Sequence, residues 1–280
     1  MPWPIVAFAA LFFAPSAGLA QSILGSAGNF TLLAGGNVGS VGDPTIGGGD
    51  VGYGVGITGI SSEDVTGGMI IGPSGPVVEQ ALLDLQKAAL GLTGMTATTT
   101  MSGVDLGDKT LPPGVYKFAA AAGMTGTLTL NANFQNNVYW VFQIGTSLTT
   151  AAGSMVTVIN APDGGMSDGI FWDVGASVTF GAGNTLLGNY LAGVSITYSA
   201  TTNGVGGART LVQTDLTLTA NSIDAHGVAG GSDWTGGLMF NGLGDVVPVP
   251  EPATFALFTG LVALGLIWTQ RRVFGKRETI

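Results

Sequence analysis

The sequence contains no cysteine and only one histidine, His226. Without thiols, no disulfide and no thiolate metal site can form, so stability must come from packing and backbone pairing. No group of histidines or carboxylates recurs at the spacing of a metal site or an acid–base pair. We therefore expect a protein that is not an enzyme, without a catalytic residue, metal or cofactor, in which His226 lies in a loop after the last repeat.

Basic residues are also scarce. The 280 residues include eight Lys and Arg against 17 Asp and Glu, and only 9% of all residues are charged. Between Gln21 and Pro248 there are four basic residues and fifteen acidic ones. Nucleic acid is therefore not expected as a partner, because phosphate binding needs clustered Lys and Arg.

Both ends of the chain carry apolar segments. Residues 1–20 are apolar and end in small residues, which predicts a secretory signal cleaved before Gln21, although the usual basic start is missing. The alternative, a buried N-terminal helix, is opposed by Pro2, Pro4 and Pro15. The sequence thus predicts an exported protein.

The C-terminal segment, residues 246–280, combines three elements. They are Val249-Pro250-Glu251-Pro252, an uncharged run over residues 253–270, and a basic end that begins with Arg271 and Arg272. Eighteen uncharged residues are at the lower limit for a membrane-spanning helix, and the basic cluster behind them would stay cytoplasmic.

This order resembles the PEP-CTERM sorting tail of Gram-negative bacteria. The resemblance implies an exosortase as a partner, which would cut the tail and release the protein to the cell envelope or an extracellular matrix. The protein would be anchored in the membrane before that step. A permanent C-terminal anchor is the alternative.

A short phrase recurs along the middle of the chain: an apolar residue, Thr, two variable residues, Ala, any residue, and usually a small polar one. Its copies begin at Leu128, Leu148, Val178, Ile196 and Leu216, at steps of 20, 30, 18 and 20 residues. Such self-similarity indicates a solenoid. The longer step is one coil plus a turn-forming insertion around residues 161–165.

Each coil is predicted to hold three strands. Segments such as Tyr139–Ile144, Ile170–Val174 and Arg209–Gln213 precede successive copies of the phrase. Within the strands, apolar residues alternate with Thr, so the apolar residue points inward and the Thr outward. The fold predicted for residues 21–245 is mainly β: a parallel β-helix of triangular section.

One helix is predicted over residues 76–90, packed along one side of the solenoid. Pro76 suits a first helical turn, apolar residues follow at intervals of three and four, and Gly91 is expected to end the helix.

Two ladders of short side chains are candidates for a binding surface. The first is Thr129, Thr149, Thr179, Thr197 and Thr217, and the second is Ser154, Asn184, Thr202 and Ser222. Such side chains lose little rotamer freedom and carry methyl and hydroxyl groups at regular spacing. The alternative is that Thr merely suits exposed strand positions and Asn suits solenoid corners.

Several phrases resemble the ice-binding-like family known as DUF3494, from about residue 30 to residue 225. They are Leu111–Phe118, Thr125–Leu130, Tyr139–Gly145 and Leu148–Ala151. The resemblance implies a discontinuous right-handed β-helix, a long helix packed alongside, and a flat face that adsorbs to ice crystals.

Some members of that family carry a T-A/G-x-T/N pattern on the flat face. The matching rungs here are 151–154, 181–184, 199–202 and 219–222. Only Thr219 supplies the first Thr and only Thr202 the last, so the chain departs from the pattern.

Three functions follow from these observations. The first is an exported ice-binding, antifreeze protein that inhibits ice growth or recrystallisation, and the second is a structural or adhesive matrix protein with the same fold. The third, a lyase or hydrolase, depends on Asp163, Asp168 and Asp173, but turn formation explains the first two and no basic group is near.

Overall fold

The computed structural model describes residues 22–73, 75–199, 205–219, 221–225 and 232–250. The predicted signal peptide, Thr202, His226 and residues 251–280 of the predicted tail lie outside these ranges.

The described elements are a short 3-10 helix at Gly25–Asn29, one α-helix and 25 strands. They are β1 (Phe30–Ala34), β2 (Asn37–Val41), β3 (Thr45–Gly47), β4 (Asp50–Tyr53), β5 (Gly56–Thr58), β6 (Val65–Thr66), β7 (Ile70–Ile71), α1 (Pro76–Gly94), β8 (Thr99–Thr100), β9 (Thr110–Leu111), β10 (Gly114–Phe118), β11 (Ala122–Met124), β12 (Thr127–Asn131), β13 (Tyr139–Ile144), β14 (Leu148–Thr150), β15 (Met155–Ile159), β16 (Gly169–Val174), β17 (Ser177–Phe180), β18 (Gly188–Ala192), β19 (Ser195–Tyr198), β20 (Val205–Gly206), β21 (Ala208–Val212), β22 (Asp215–Thr219), β23 (Ser222–Asp224), β24 (Leu238–Phe240) and β25 (Val246–Pro248).

Parallel strands form the three faces of a solenoid, as the repeats predict. The first face is a nine-stranded sheet, β7-β4-β1-β21-β18-β16-β13-β10-β8. The second, here called the open face, is a seven-stranded sheet, β11-β14-β17-β19-β22-β2-β5. The third, here called the divided face, consists of two separate sheets, β15-β12-β9 and β20-β23-β3-β6. The predicted mainly β fold with parallel coils is confirmed.

The order of the coils in space differs from their order in the chain. The first coil, β1-β2-β3, stacks on the last one, β21-β22-β23, with Leu33 opposite Leu211 and Val38 opposite Leu216. Coil β4-β5-β6 continues beyond it. The chain then returns along α1 and builds the remaining coils from the other end.

Helix α1 covers the outer side of the nine-stranded sheet. Its buried residues recur at three- and four-residue intervals and are Val78, Ala81, Leu85, Ala88 and Leu92. They pack with the outward apolar residues of the sheet, among them Phe30, Val141 and Phe171. The inward face of the same sheet meets the solenoid core, so the sheet is buried on both sides.

The helix is longer than predicted, because Gly91 does not end it. It continues to Gly94, and Met95 N–H donates to the carbonyl of Leu92. A Cβ on Gly91 would stand 2.4 Å from Cγ2 of Val246 in β25. The glycine therefore serves the close approach of a strand to the helix and not a helix stop.

Inside the solenoid, aromatic rings from successive coils of the nine-stranded sheet stack on one another. Tyr116, Phe142, Trp172 and Tyr190 pair in register, with ring centroids 5.5, 4.1 and 5.3 Å apart. Parallel registers bring the same position of each coil together, so an inward aromatic side chain meets its counterpart one coil away. This stack fixes the coils relative to one another.

The folded domain continues past Asp245, where the sequence predicted its end. Strand β25 pairs antiparallel with β24, and Val246 packs against α1. Among the described residues, no helix is both long enough and apolar enough to cross a membrane.

Candidate functional site: the open face

The open face presents a column of threonines in register. Thr149 pairs with Thr179, Thr179 with Thr197, and Thr197 with Thr217. The column then passes through Gly39 and ends at Thr58. Thr149, Thr217 and Thr58 are exposed, whereas Thr179 and Thr197 are half-buried by their neighbours. We call these residues the threonine column; adjacent members are about 4.8 Å apart, the separation of paired strands.

The residues between these threonines point inward and hold the column in place. Leu148, Val178, Ile196 and Leu216 are buried and pair in the same register. Because side chains alternate along a strand, burying this apolar row fixes which side chains face solvent. The four sequence-predicted residues Thr149, Thr179, Thr197 and Thr217 are thus brought together.

Thr129, the fifth member of the predicted ladder, lies elsewhere. It belongs to β12 on the divided face and pairs with Thr110 and Thr157. The position preceding Thr149 in the threonine column is Gly123. The prediction that Thr129 belongs to this ladder is therefore wrong. Apolar residues alternate with Thr in strands on more than one face, so the alternation alone does not identify the face.

A second row on the open face runs beside the threonine column. Ser177 pairs with Ser195, whose hydroxyl donates to Ser177 Oγ at 2.9 Å, and Ser195 pairs with Asp215. The carboxylate of Asp215 accepts from the backbone N–H and the side-chain amide of Asn37 at 2.8 and 3.1 Å. The row thus crosses the junction between the last coil and the first.

The seven described strands of the open face carry little charge. Asp215 is their one charged residue, and the outward positions are otherwise occupied by Thr, Ser, Asn and Gly, with Val41 at one end. Sequence reasoning missed this serine row and the contributions of β2 and β5. The sequence signal that could have indicated β2 and β5 is the alternation of apolar and small residues around Val38 and Ile57, in the glycine-rich N-terminal segment.

The second predicted ladder is not a surface. Ser154 and Asn184 are both fully buried. Asn184 Oδ1 accepts from the Ser154 N–H at 2.9 Å, and its amide donates to Thr150 Oγ1. Ser154 Oγ donates to the carbonyl of Met124 at 2.9 Å. These residues satisfy backbone groups at a corner of the solenoid, so their prediction as binding residues is wrong, and corner formation explains them.

The last two members of that ladder do not complete it. Ser222 is exposed but lies in β23 on the divided face, opposite Thr45. Thr202 lies outside the described residues.

The other two faces offer no comparable surface. The nine-stranded sheet is covered by α1. The divided face is interrupted between its two sheets, and the larger side chains Met155 and Ile159 stand beside Thr129 there, each about two-fifths exposed. Among the described surfaces, the open face is the continuous array of short side chains.

The three aspartates considered for a lyase do not form a shared groove. Asp163 caps a turn by accepting from Gly165 N–H and from Ser167. Asp168 is buried and accepts from Val138 N–H, and burial raises its pKa to about 6. Asp173 is on the helix-covered sheet and accepts from Thr93 Oγ1 at 2.6 Å, and burial likewise raises its pKa to about 6.

Within the described ranges, no group of three or more His, Cys, Asp or Glu side chains could hold a metal ion. Asp163 caps a turn, and Asp168 and Asp173 each accept a separate hydrogen bond inside the fold, so structural roles explain all three aspartates.

The family model of ice-binding-like proteins matches residues 19–224. The chain belongs to the ice-binding-like family. It is 33% identical over 269 residues to an ice-binding protein of Nostoc sp. (strain HG1), which covers 95% of this chain and 93% of that protein. An ice-binding protein of Colwellia sp. is 30% identical over 223 residues, covering 72% and 83% of the two chains.

Solved structures of ice-binding-like proteins share the architecture. The crystal structure of an ice-binding protein from the Antarctic ascomycete Antarctomyces psychrotrophicus superposes with a TM-score of 0.64 at 32% identity. That similarity covers 72% of this chain and 96% of the fungal one. The β-helix with one long helix is therefore the architecture of this family.

In this member of the ice-binding-like family, the two fully described rungs of the T-A/G-x-T/N pattern, residues 151–154 and 181–184, lie at a corner. Residues 151–154 and 181–184 form turns, and Gly181 packs against the backbone of Ala151. Their last residues, Ser154 and Asn184, are the buried pair described above. In these two coils the threonine column, at Thr149 and Thr179, immediately precedes the corner in sequence.

Proposed function

We propose that this protein binds ice through the open face, with the threonine column at its centre. The observation that carries the proposal is the register of Thr149, Thr179, Thr197 and Thr217 on four stacked coils. Family membership and the ice-binding relatives in bacteria and fungi support it.

The physical argument is one of rigidity and regularity. Ice presents a fixed lattice, so a protein surface that adsorbs to it must already be ordered before contact. The threonines are β-branched, with few rotamers to lose, and the buried row beneath them is fully packed. Methyl groups and hydroxyls repeat at one strand spacing, which allows many weak contacts to act together.

Replacing a central threonine with a large residue tests the proposal. Thr179→Tyr or Thr197→Tyr places a ring above the plane and holds the neighbouring side chains away from ice. We expect most of the thermal hysteresis and of the recrystallisation inhibition to be lost, with circular dichroism unchanged. The protein assayed should comprise residues 21–250, because β25 belongs to the folded domain.

Thr129→Tyr is the matched control, since it makes the same change at a half-buried strand threonine on the divided face. It should retain full activity. Equal loss in both variants would contradict the assignment of the open face, and a folded wild-type protein without any effect on ice growth would favour a structural or adhesive matrix role.

We also propose that the protein is exported to the cell envelope or extracellular matrix of a Gram-negative bacterium. The apolar residues 1–20, the Val249-Pro250-Glu251-Pro252 motif, the uncharged residues 253–270 and the basic end support this. The protein would be held in the membrane by its tail until an exosortase-type enzyme cuts it. Intact mass measurement of the exported protein, with Glu251→Ala as the variant that should block processing, tests the proposal.

A further inference from the structure

A groove runs between α1 and the hairpin formed by β24 and β25. It is lined by Leu83, Gln86, Lys87, Leu90, Gly91 and Gly94 of the helix and by residues 244–246 of the hairpin. Two leucines of the helix are exposed here, Leu83 by 54% and Leu90 by 69%, and Leu243 at the hairpin tip is exposed by 88%. We call Leu83, Leu90 and Leu243 the leucine patch.

The hairpin tip holds its leucine outward by a defined set of hydrogen bonds. Asn241 Oδ1 accepts from the N–H groups of Leu243 and Asp245, each at 2.9 Å. The Asn241 side-chain amide donates to the Asp245 carboxylate at 3.1 Å. Lys87 of α1 stands 4.1 Å from the ring centre of Phe240 and joins the hairpin to the helix. The exposed leucine is therefore part of an ordered structure.

The chain leaves the domain close to this patch. From Val246, which packs on Gly91, strand β25 leads to Val249, whose N–H donates to the carbonyl of Gly237 at 3.0 Å. Only Glu251 and Pro252 separate Pro250 from Ala253, where the uncharged run begins. Seven residues span at most about 25 Å, so the start of that run lies within about 25 Å of the groove.

A tail this short restricts where a membrane can be. If residues 253–270 span a bilayer, the domain is held against the lipid surface by a connection of a few residues. The side of the domain nearest to that connection then meets the membrane, and the leucine patch lies on that side. Exposed apolar residues at such a position gain by entering the lipid interface.

We propose that the side of the domain formed by α1 and the β24–β25 hairpin faces the membrane, with the leucine patch in contact with lipid. This inference depends on the anchoring proposed above and not on ice binding. In a solenoid of triangular section the outward directions of the faces diverge, so the open face then points away from the bilayer. The anchored protein presents its threonine column to the surroundings of the cell.

The absence of cysteine in the sequence allows a direct test. Single variants Leu243→Cys and Leu90→Cys carry an environment-sensitive fluorophore, and Ser195→Cys on the open face is the control. The full chain is reconstituted in vesicles of phosphatidylcholine and phosphatidylglycerol, and quenching is compared between nitroxide-labelled lipid and aqueous iodide. We expect lipid quenching at positions 243 and 90 and iodide quenching at position 195.

Three results would overturn the inference. Labels at 243 and 90 that are quenched by iodide alone in vesicles would show that this side does not touch lipid. Labels already shielded from iodide without vesicles would show that the tail or a second copy covers the groove. A chain that does not float with vesicles would remove the anchoring on which the inference depends, while its effect on ice growth would be unaffected.

Discussion

Gly39 in β2 pairs in register with Thr217 in β22, so the threonine column passes through a residue without a side chain before it resumes at Thr58. The pair also joins the first coil of the chain to the last one. The open face is therefore continuous in space but has a gap in its row of hydroxyl and methyl groups at this junction.

Filling that gap should strengthen ice binding. The Cβ of a residue at position 39 would stand 3.2 Å from Thr58 Oγ1, and a threonine side chain can rotate away. We expect Gly39→Thr to raise thermal hysteresis, because it makes the column continuous from Thr149 to Thr58. Ser222→Thr also creates a threonine, by adding a methyl group on the divided face, and should leave thermal hysteresis unchanged; an equal gain there would contradict the prediction.

The buried corner and the exposed column should respond differently to mutation. Asn184→Ala removes the acceptor of Ser154 N–H and the partner of Thr150 Oγ1 inside the protein. The cost should be about 1–3 kcal/mol of unfolding free energy, or a decrease in Tm of roughly 2–12 °C. Circular dichroism melts measure it. Near the freezing point, where the protein stays folded, its thermal hysteresis should match the wild type; a loss as large as in Thr179→Tyr would mean that Asn184 acts at the ice surface.

A side chain at Gly91 should destabilise the protein, whereas one at Gly94 of the same helix should not. Gly91→Ala drives a methyl group into Val246 and should destabilise the protein by about 1–3 kcal/mol through overpacking. Gly94→Ala has no heavy atom within 4 Å of the new Cβ and should be neutral or stabilising by up to about 1 kcal/mol. Urea unfolding of both variants provides the comparison, and equal midpoints would show that β25 does not press on α1 there.

Stability should decrease as the pH rises through 6. Burial raises the pKa of Asp168 and of Asp173 from 3.8 to about 6, and the charge of Asp163 adds to the effect at Asp168. Between about pH 4 and 6 the folded protein therefore holds protons that the unfolded chain has released, and this advantage is lost at higher pH. The free energy of unfolding should be lower by about 1 kcal/mol for each group at neutral pH than at about pH 5.

Asn substitutions separate the contribution of Asp168 and Asp173 to this pH dependence from that of the other titratable groups. Asp168→Asn and Asp173→Asn should each reduce the difference in urea midpoint between the two pH values. Asp43→Asn, at an exposed position, is the control and should keep the full difference. An unchanged pH dependence in the double variant would assign the effect to other groups.

The sequence predicts the coils because their determinants are local. An apolar residue followed by Thr specifies a strand with one buried and one exposed side chain, and the aromatic segments before each copy specify the strand that α1 covers. The helix was predicted from its apolar spacing, but its end was not, since Gly91 serves contact with Val246, 155 positions later in the chain.

What the sequence does not specify is which face a strand occupies. Leu128-Thr129 and Leu148-Thr149 read alike, yet one pair lies on the divided face and the other on the open face. Likewise a polar residue at the end of a repeat can be exposed or, like Asn184, buried with its hydrogen bonds made inside. Both outcomes depend on turns and on stacking between coils, and the alternation of residues along one strand carries no information on either.

The stacking of the first coil on the last one has a consequence for biosynthesis. Strands β1, β2 and β3 pair with β4, β5 and β6 on one side, but their neighbours on the other side are β21, β22 and β23. Asn37 and Asp215, which hydrogen-bond across this junction, are 178 residues apart in the chain. During translation, the open face cannot be completed until β22 has been synthesised, because β2 pairs with β22 at the middle of this face. Contacts between residues so far apart in the chain form slowly. If the protein is exported as proposed above, the open face is completed only when the last coil joins the first one, after the chain has crossed the membrane.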